Sequence, residues 1–160
     1  MKNLIVLVFL LSFFYGHTQK SKLSAEHYQN VRKSFRQKMP DHSVAVLFSA
    51  PIRNRANDVD YIYHQDPNFF YLTGWHQPHS VLIIYKDAQT DGSGVYYDKI
   101  YVPERNDYME MWNGERYDLE EVKELGFDRV AERVDFKSDS QTLDHFDKVM
   151  MFEFKNDIRN

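Results

Sequence analysis

The sequence predicts an α/β domain in which helices flank a mixed β-sheet. Short apolar runs typical of buried strands alternate with segments that carry helix signals. A Gly-containing turn at 91–94 separates two of the strand-like runs, as in a β-hairpin. The chain has 160 residues, of which 42% are hydrophobic and 16% aromatic. It is therefore long enough for one domain and apolar enough to bury a core.

Three segments have both a start signal and a stop signal for a helix. Segment 24–40 begins with a serine cap, carries one apolar stripe at three- and four-residue spacing, and stops at a proline. Segment 66–74 begins with Asp-Pro and ends at a glycine. Segment 118–126 has an aspartate cap and also ends at a glycine. A further short helix is predicted at 140–146.

The strands are predicted from short runs rich in β-branched and aromatic residues. These runs are 43–50, 80–85, 95–102 and 148–154, with a weaker one near 129–130. The second and third of them should pair as a hairpin, whereas 53–65 and 107–116 are predicted to be irregular. Strand alternation and the helix at 66–74 give the expected core, which is Val44, Val46, Phe48, Phe69, Leu72, Val81, Ile83 and Val149.

Charge and cysteine content exclude several function classes. The chain has 20 basic and 24 acidic residues and a net charge of -4, without the clustered basic surface that nucleic-acid binding requires. We therefore expect no nucleic-acid partner. The chain contains no cysteine, which excludes disulfides and any metal site with thiolate ligands.

The first residues are typical of a secretory signal peptide. Lys2 precedes an apolar run, Leu4–Phe14, and small and polar residues follow it. The run is shorter than the about 20 residues that span a bilayer. We expect 1–19 to be removed, 20–160 to form the domain, and the protein to be secreted or periplasmic without stable membrane insertion. The alternative is that the run forms part of the core. Because the chain ends soon after a strand, we also expect it to be truncated.

Spacing alone identifies no catalytic centre. His76 and His79 have an H-x-x-H spacing but lie in a predicted loop, and a zinc site needs three or four ligands. Asp58 and Asp60 lack the glycine of a calcium-binding loop, so pairing with nearby arginines is the simpler interpretation. Neither serine beside the first strand, at 43 or 49, lies in a G-x-S-x-G motif.

Segment 55–78, RANDVDYIYHQDPNFFYLTGWHQP, resembles the signature of the aminopeptidase P amino-terminal domain. That signature is approximately R-x-x-D-x-x-Y-x-[FY]-R-Q-[DN]-S-[DN]-F-x-Y-[LF]-T-G-[FW]-x-E-P. The matching positions are Arg55, Asp58, Tyr61, Tyr63, Gln65, Asp66, Asn68, Phe69, Tyr71, Leu72, Thr73, Gly74, Trp75 and Pro78. The departures are His64 in place of Arg, Pro67 in place of Ser and Gln77 in place of Glu. The loss of the arginine is expected to weaken an ion pair of the scaffold.

A second family pattern, E-x-W-x-G, is matched by Glu110, Trp112 and Gly114, with Arg116 following. The strand before the first motif and the hairpin after it also occur in the family's order. The resemblance therefore covers nearly all of the chain after residue 19.

The resemblance implies an amino-terminal domain like those of creatinase and aminopeptidase P, and a full-length Xaa-Pro aminopeptidase. In such enzymes a second, pita-bread domain binds two divalent ions, usually manganese, and cleaves the bond before a proline at position two. This chain holds none of those ligands, so it should contain no catalytic or metal-binding residue and be inactive alone. Its implied partners are its own catalytic domain, further copies of itself and proline-containing peptides.

The same resemblance implies two substrate-binding residues. Trp112 is the first, because the tryptophan of E-x-W-x-G can reach the active site of a neighbouring subunit; the alternative is a core or interface tryptophan. Asp58 is the second, at the domain edge that would face the metal domain; the alternative is a structural pair with Arg55. Two other functions remain open, a stand-alone module for peptide binding or oligomerisation and the amino-terminal domain of a prolidase-like or creatinase-like protein.

Overall fold

A computed structural model of the chain describes residues 23–106, 108, 110–111, 114 and 116–151. The predicted signal peptide at 1–19, Trp112 and positions 152–154 of the last predicted strand lie outside the described residues. The strands are β1 (Ser43–Phe48), β2 (Asn54–Ala56), β3 (Val59–Asp60), β4 (Val81–Asp91), β5 (Gly94–Val102), β6 (Arg129–Glu132) and β7 (Lys148–Met151). The α-helices whose bounds lie within the described residues are α1 (Ala25–Lys38), α2 (Pro67–Thr73), α3 (Leu119–Lys123) and α4 (Phe136–Asp139).

The main sheet is mixed, which confirms the predicted fold class. Its strands lie in the order β6-β5-β4-β1-β7. The central pairs β5–β4 and β4–β1 are antiparallel, and β4 and β5 form the predicted hairpin. Both outer pairs are parallel, β5 with β6 and β1 with β7. Parallel neighbours need a crossover, and the helical segments supply it.

Local signals place the three principal helices where the sequence predicts them. The Ser24 side chain accepts a hydrogen bond from the backbone at the start of α1. Asp66 accepts two backbone N–H bonds at the start of α2, and Gly74 ends that helix with φ at 67°. Asp118 and Glu121 form a reciprocal capping box on α3. The predicted helix at 140–146 is a 3-10 segment, Ser140–His145, that follows α4.

The core has two parts, one on each face of the sheet. On the first face, α1, α2 and α3 cover a cluster that includes Leu47, Phe69 and Trp75. On the second face, the segment from 133 to 146 covers a cluster that includes Val46, Ile83 and Tyr101. Alternation along β1 and β4 separates the two clusters, because successive side chains of a strand point to opposite faces.

Six of the eight expected core residues are buried, and two are not. Phe48 is half-buried at the end of β1, where its ring packs edge-on against Phe136. Val149 is 44% exposed, so its prediction as a core residue is wrong. The reason is that β7 is an outer strand of the sheet, and strand periodicity gives the face of a residue but not the cover over it.

An ion pair inside the domain was not visible in the sequence. The Arg32 guanidinium on α1 is 2% exposed and donates to the Asp98 carboxylate on β5 at 2.8 Å. It also donates to the backbone carbonyls of Leu72 and Gly126, and it lies 4.4 Å from the ring centre of Phe127. Burial raises the pKa of Asp98, and the adjacent guanidinium opposes that rise. The pair ties α1, α2, β5 and the end of α3 together.

The segment predicted as loop before α2 contains a small hairpin, formed by β2 and β3, which we call the β2–β3 arm (residues 54–60). Its residues are all exposed and only Ala56 and Val59 are apolar, so no apolar alternation marks the strands. No helix in the described part of the chain has both the length and the apolar character needed to cross a membrane.

Candidate functional site

Gln65 is the central hydrogen-bonding residue of the first motif. Its side-chain oxygen accepts from the backbone N–H groups of Ala50, at 2.8 Å, and Asp66, at 2.9 Å. Its side-chain nitrogen donates to the carbonyl oxygens of Trp75 and Gln77, both at 3.2 Å. Gln65 thus joins the segment after β1 to the start of α2 and to the loop after α2. Its role in the motif is structural.

Trp75 continues this buried network. Its ring is 2% exposed, and its indole N–H donates to the Ser80 hydroxyl at 2.7 Å. The Thr73 hydroxyl accepts from the Trp75 backbone N–H at 3.0 Å, and the Ser49 hydroxyl accepts from the Ser80 N–H at 2.8 Å. Tyr117 packs on the indole with ring centres 5.4 Å apart. Trp75, the tryptophan of the first motif, is therefore a core residue.

Gly74 is required by its surroundings as well as by its backbone angle. A β-carbon at this position would lie 2.5 Å from ring atoms of Tyr28 on α1. The positive φ of 67° disfavours other L residues as well. The glycine thus lets α1 pack closely over the end of α2.

Tyr63 is a hydrogen-bond donor held in its neutral form. Its hydroxyl donates to the Ala50 carbonyl oxygen at 3.1 Å. Burial raises the pKa of Tyr63 to about 12, although a hydrogen bond with Ser49 acts in the opposite direction. The phenol therefore stays protonated at physiological pH and acts as a fixed donor.

The three departures from the family pattern, at 64, 67 and 77, are compatible with the buried hydrogen-bond network around Gln65 and Trp75. His64 is exposed, so its side chain lies outside the buried network. Pro67 occupies the first turn of α2, where its fixed φ suits the helix and its missing N–H costs nothing. Gln77 meets Gln65 through its backbone carbonyl, a contact that does not depend on the side chain.

Asp58 lies in the exposed turn of the β2–β3 arm. The arm is held by Asn54, whose side-chain amide donates to the Asp60 carboxylate at 3.2 Å and to backbone carbonyls of the arm. Beyond the arm, Tyr61 is 58% exposed and Ile62 is 85% exposed. The first motif thus has a buried structural half and an exposed half, and Asp58 belongs to the exposed half.

Glu110 of the second motif lies in the surface loop between β5 and α3. Residues 108, 110 and 111 of this loop are helical, so the prediction that 107–116 is irregular is wrong at these positions. The Glu110 carboxylate contacts the Arg105 guanidinium at 3.2 Å and accepts from the Arg116 backbone N–H at 3.2 Å. Its carbonyl oxygen accepts from the Gly114 N–H at 3.0 Å. The Arg116 side chain in turn donates to the carbonyl oxygen of Glu104 at 2.9 Å. These contacts join residues 104–105 and 110 to residues 114 and 116, so the loop is fixed at its base.

Trp112 lies in the sequence between these fixed points but outside the described residues. Its predicted role in substrate binding stays a prediction. The neighbouring described side chains are strongly exposed, with Tyr108 at 64% and Met111 at 74%. The second motif predicted a role for Trp112 but none for Glu110, which it also contains.

The described residues hold no group of three or more His, Asp or Glu side chains placed to bind a metal ion. The two motifs contribute three features to the described residues: a loop fixed by Glu110, an exposed arm that carries Asp58, and a buried network centred on Gln65.

Residues 28–150 match the model of the family described as "Aminopeptidase P, N-terminal domain". The Xaa-Pro aminopeptidase of Escherichia coli is 32% identical over 111 residues, which are 69% of this chain and 24% of that protein. Intermediate cleaving peptidase 55 of Schizosaccharomyces pombe is 38% identical over 95 residues, which are 59% of this chain and 19% of that protein.

Solved structures give the same result for the fold. Aminopeptidase P from E. coli, with the inhibitor Pro-Leu, superposes with a TM-score of 0.73 at 26% identity. The match covers 86% of this chain and 31% of that one. Proline aminopeptidase P II from Yersinia pestis gives a TM-score of 0.71 at 27% identity. The chain thus spans less than a third of the length of these relatives, and it belongs to the aminopeptidase P N-terminal domain family.

Proposed function

We propose that this chain is the non-catalytic amino-terminal part of a longer, secreted Xaa-Pro aminopeptidase, which removes the first residue from peptides with proline at position two. Family membership supports the proposal, as do the relatives that are named Xaa-Pro aminopeptidases. The bond would be cleaved in a second domain that holds two divalent ions, which we expect to be manganese. The contribution of this chain is to support and shape access to that domain.

The observation that carries the proposal is the loop fixed by Glu110. An ion pair and two hydrogen bonds of Glu110 fix described residues on both sides of Trp112, which would lower the ordering cost when a partner binds. Exposed apolar side chains beside the tip suit contact with another protein surface or a peptide. We propose that Trp112 makes this contact from the loop, in the active site of a neighbouring subunit.

Asp58 is proposed as a second, weaker substrate or domain contact. The exposed turn of the β2–β3 arm presents its carboxylate to solvent, and the arm backbone is fixed by Asn54. A carboxylate at this place suits the free amino group of a peptide or a cation of the catalytic domain.

Cleavage of a Xaa-Pro peptide tests the proposal. The full-length product of the gene, purified with manganese, is expected to release the first amino acid, and the 160-residue chain alone is expected to release none. Activity of the chain alone would contradict a non-catalytic role. An inactive full-length product, together with binding of proline-containing peptides by the chain, would favour the stand-alone module.

Export is a separate part of the proposal, supported by Lys2 and the apolar run Leu4–Phe14. Mass spectrometry of the protein from its native host should show an amino terminus near residue 20. An intact Met1 on exported protein would contradict removal of a signal peptide.

A further inference from the structure

The segment that covers the second face of the sheet runs from one outer strand to the other, and we call it the strap (residues 133–146). It begins at the end of β6, and after it the chain enters β7. Those two strands lie at opposite edges of the sheet, in the order β6-β5-β4-β1-β7. With neighbouring strands about 4.8 Å apart, the strap crosses about 19 Å of sheet. Both of its ends are held by strand pairing, β6 with β5 and β7 with β1.

The strap has few stabilising features of its own. It consists of three short helical segments, Arg133–Asp135, Phe136–Asp139 and Ser140–His145, and within the described residues none of them begins with a side-chain cap. None of the side chains that the structure describes between 133 and 146 is fully buried. The helices on the first face, in contrast, are all capped, and each buries at least one side chain. Short uncapped helices with few buried contacts are typical of a segment that opens before the whole domain unfolds.

The face beneath the strap is apolar and closed to water. Its central side chains, Val46, Ile83 and Tyr101, are at most 2% exposed. The strap packs three partly buried apolar residues against them, Phe136, Leu143 and Phe146. The Phe136 and Tyr101 rings meet edge-on with their centres 5.3 Å apart. A lifted strap would therefore expose an apolar surface on β1, β4 and β5.

Asp139 fastens the middle of the strap to the sheet. Its carboxylate accepts from the Lys99 ammonium at 2.6 Å and from the Tyr101 hydroxyl at 2.8 Å. Both partners belong to β5, so one side chain ties the strap to a strand in the interior of the sheet. The bond with Lys99 needs the negative charge of Asp139, because an ionised acceptor strengthens a hydrogen bond and a neutral one forms no ion pair.

We propose that Asp139 is the latch of the strap: its charge keeps the strap closed, and without that charge the strap lifts off the second face as one unit. The strands and the first face stay folded in the open form. Among the described residues, the Arg32–Asp98 pair and the core cluster of the first face include no residue of the strap. The proposal is independent of the catalytic function proposed above.

Hydrogen exchange of the full chain at low urea concentrations tests the opening. The Ser140 and Phe146 amides report on the strap, since they donate to the carbonyl oxygens of Phe136 and Leu143. The Gly74 amide, which donates to a carbonyl oxygen of α2 at 2.7 Å, reports on the first face. After correction for intrinsic rates, the two strap amides should exchange at least about 10-fold faster than Gly74, with one common and shallower urea dependence. The same urea dependence at all three amides would mean that the strap opens only when the domain unfolds, and would overturn the proposal.

Asp139→Asn tests the latch, because it removes the charge and keeps the size of the side chain. We expect exchange at Ser140 and Phe146 to accelerate by the same factor, about 3- to 30-fold, which is modest because Asp139 is 37% exposed and water screens the pair. Lys99→Met removes the same ion pair from the side of the sheet and should have the same effect. Asp144→Asn, at an exposed position of the strap nearer to Phe146, is the matched control and should change neither amide.

Two outcomes of these variants would refute the latch. Acceleration at Ser140 without acceleration at Phe146 would show fraying beside residue 139 and no common unit. Unchanged exchange at both amides in Asp139→Asn and Lys99→Met would show that the ion pair does not hold the strap.

Discussion

The carboxylate of Glu110 lies 3.2 Å from the guanidinium of Arg105 and closes the base of the loop in which Trp112 occurs. The Glu110 side chain is 15% exposed and that of Arg105 is 49% exposed, so the carboxylate is half-buried while its partner faces water, which screens the pair in part. The same carboxylate accepts the backbone N–H of Arg116. One side chain thus joins the two ends of the loop in this chain.

Replacement of Glu110 by Ala should release the loop without unfolding the domain. A hydrogen bond to a charged group contributes about 1.5–3 kcal/mol, so the Arg116 amide should exchange its hydrogen about 10- to 150-fold faster. Hydrogen exchange with mass or NMR detection measures this. Glu104→Ala is the matched control, because Glu104 accepts from Arg116 through its backbone carbonyl. Unchanged exchange at Arg116 in Glu110→Ala would contradict the role of the carboxylate.

Removal of the buried guanidinium should destabilise the domain strongly. Arg32→Met leaves Asp98 without its partner in the interior, and we expect the free energy of unfolding to fall by about 3–5 kcal/mol. Urea titration measures the loss, and Lys33→Met, at an exposed position of the same helix, should cost under about 0.5 kcal/mol. The double variant Arg32→Met/Asp98→Asn should recover part of the loss. An Arg32→Met variant as stable as the parent would show that the ion pair with Asp98 does not stabilise the packing of α1.

Acid should destabilise the domain because two aspartates have lowered pKa values in the folded state. They are Asp139, in the segment that covers the second face, and Asp91, at the end of β4. Burial raises the pKa of Asp139, but hydrogen bonds from Lys99, at 2.6 Å, and Tyr101, at 2.8 Å, outweigh it and lower the pKa overall. The Arg129 guanidinium lowers the pKa of Asp91 to about 2. Each carboxylate therefore stabilises the fold above its unfolded pKa of about 3.9, and this contribution is lost as the pH falls through the folded pKa.

The test is to measure the urea concentration at the midpoint of unfolding at several pH values between pH 5 and pH 2. Asp139→Asn should flatten the fall of stability below about pH 4, because its carboxylate no longer binds a proton on unfolding. Asp144→Asn, at an exposed position of the following 3-10 segment, is the control and should keep the slope of the parent. An Asp139→Asn variant with the parent's slope would contradict the assignment.

Truncation of two apolar residues should separate the core from the edge of the sheet. Leu72 is 4% exposed, and Leu72→Ala should lower the free energy of unfolding by about 2–5 kcal/mol. Val149, at 44% exposed, should lose less than about 1 kcal/mol in Val149→Ala. Chemical denaturation of both variants checks this, and similar losses at the two positions would mean that β7 is covered on its second face.

Local rules predicted the parts of the fold that depend on neighbouring residues. The caps of α1, α2 and α3 are set by side chains within three positions of each helix start, so sequence signals located them. The hairpin of β4 and β5 follows in the same way from its turn. Val149 was misjudged because the cover over an outer strand depends on the order of the sheet, which alternation does not encode.

The site was less predictable because its contacts join distant residues. Arg32 and Asp98 are 66 positions apart, and no local pattern marks them as partners. The sequence identified Gln65 and Glu110 as members of the two motifs, but it did not show the hydrogen bonds that define their structural roles. The β2–β3 arm was not predicted because its strands have three and two residues and are exposed on both sides, which leaves no hydrophobic period to detect.

The most direct test of the central claim is one variant, Trp112→Ala, of the full-length enzyme that we propose, measured for both kcat/KM and Tm. If the loop fixed by Glu110 presents Trp112 to the substrate, kcat/KM for longer Xaa-Pro peptides should fall by about 5- to 150-fold, which corresponds to about 1–3 kcal/mol, while Tm stays unchanged. A fall in Tm of several degrees with unchanged kcat/KM would make Trp112 a packing residue and contradict the claim.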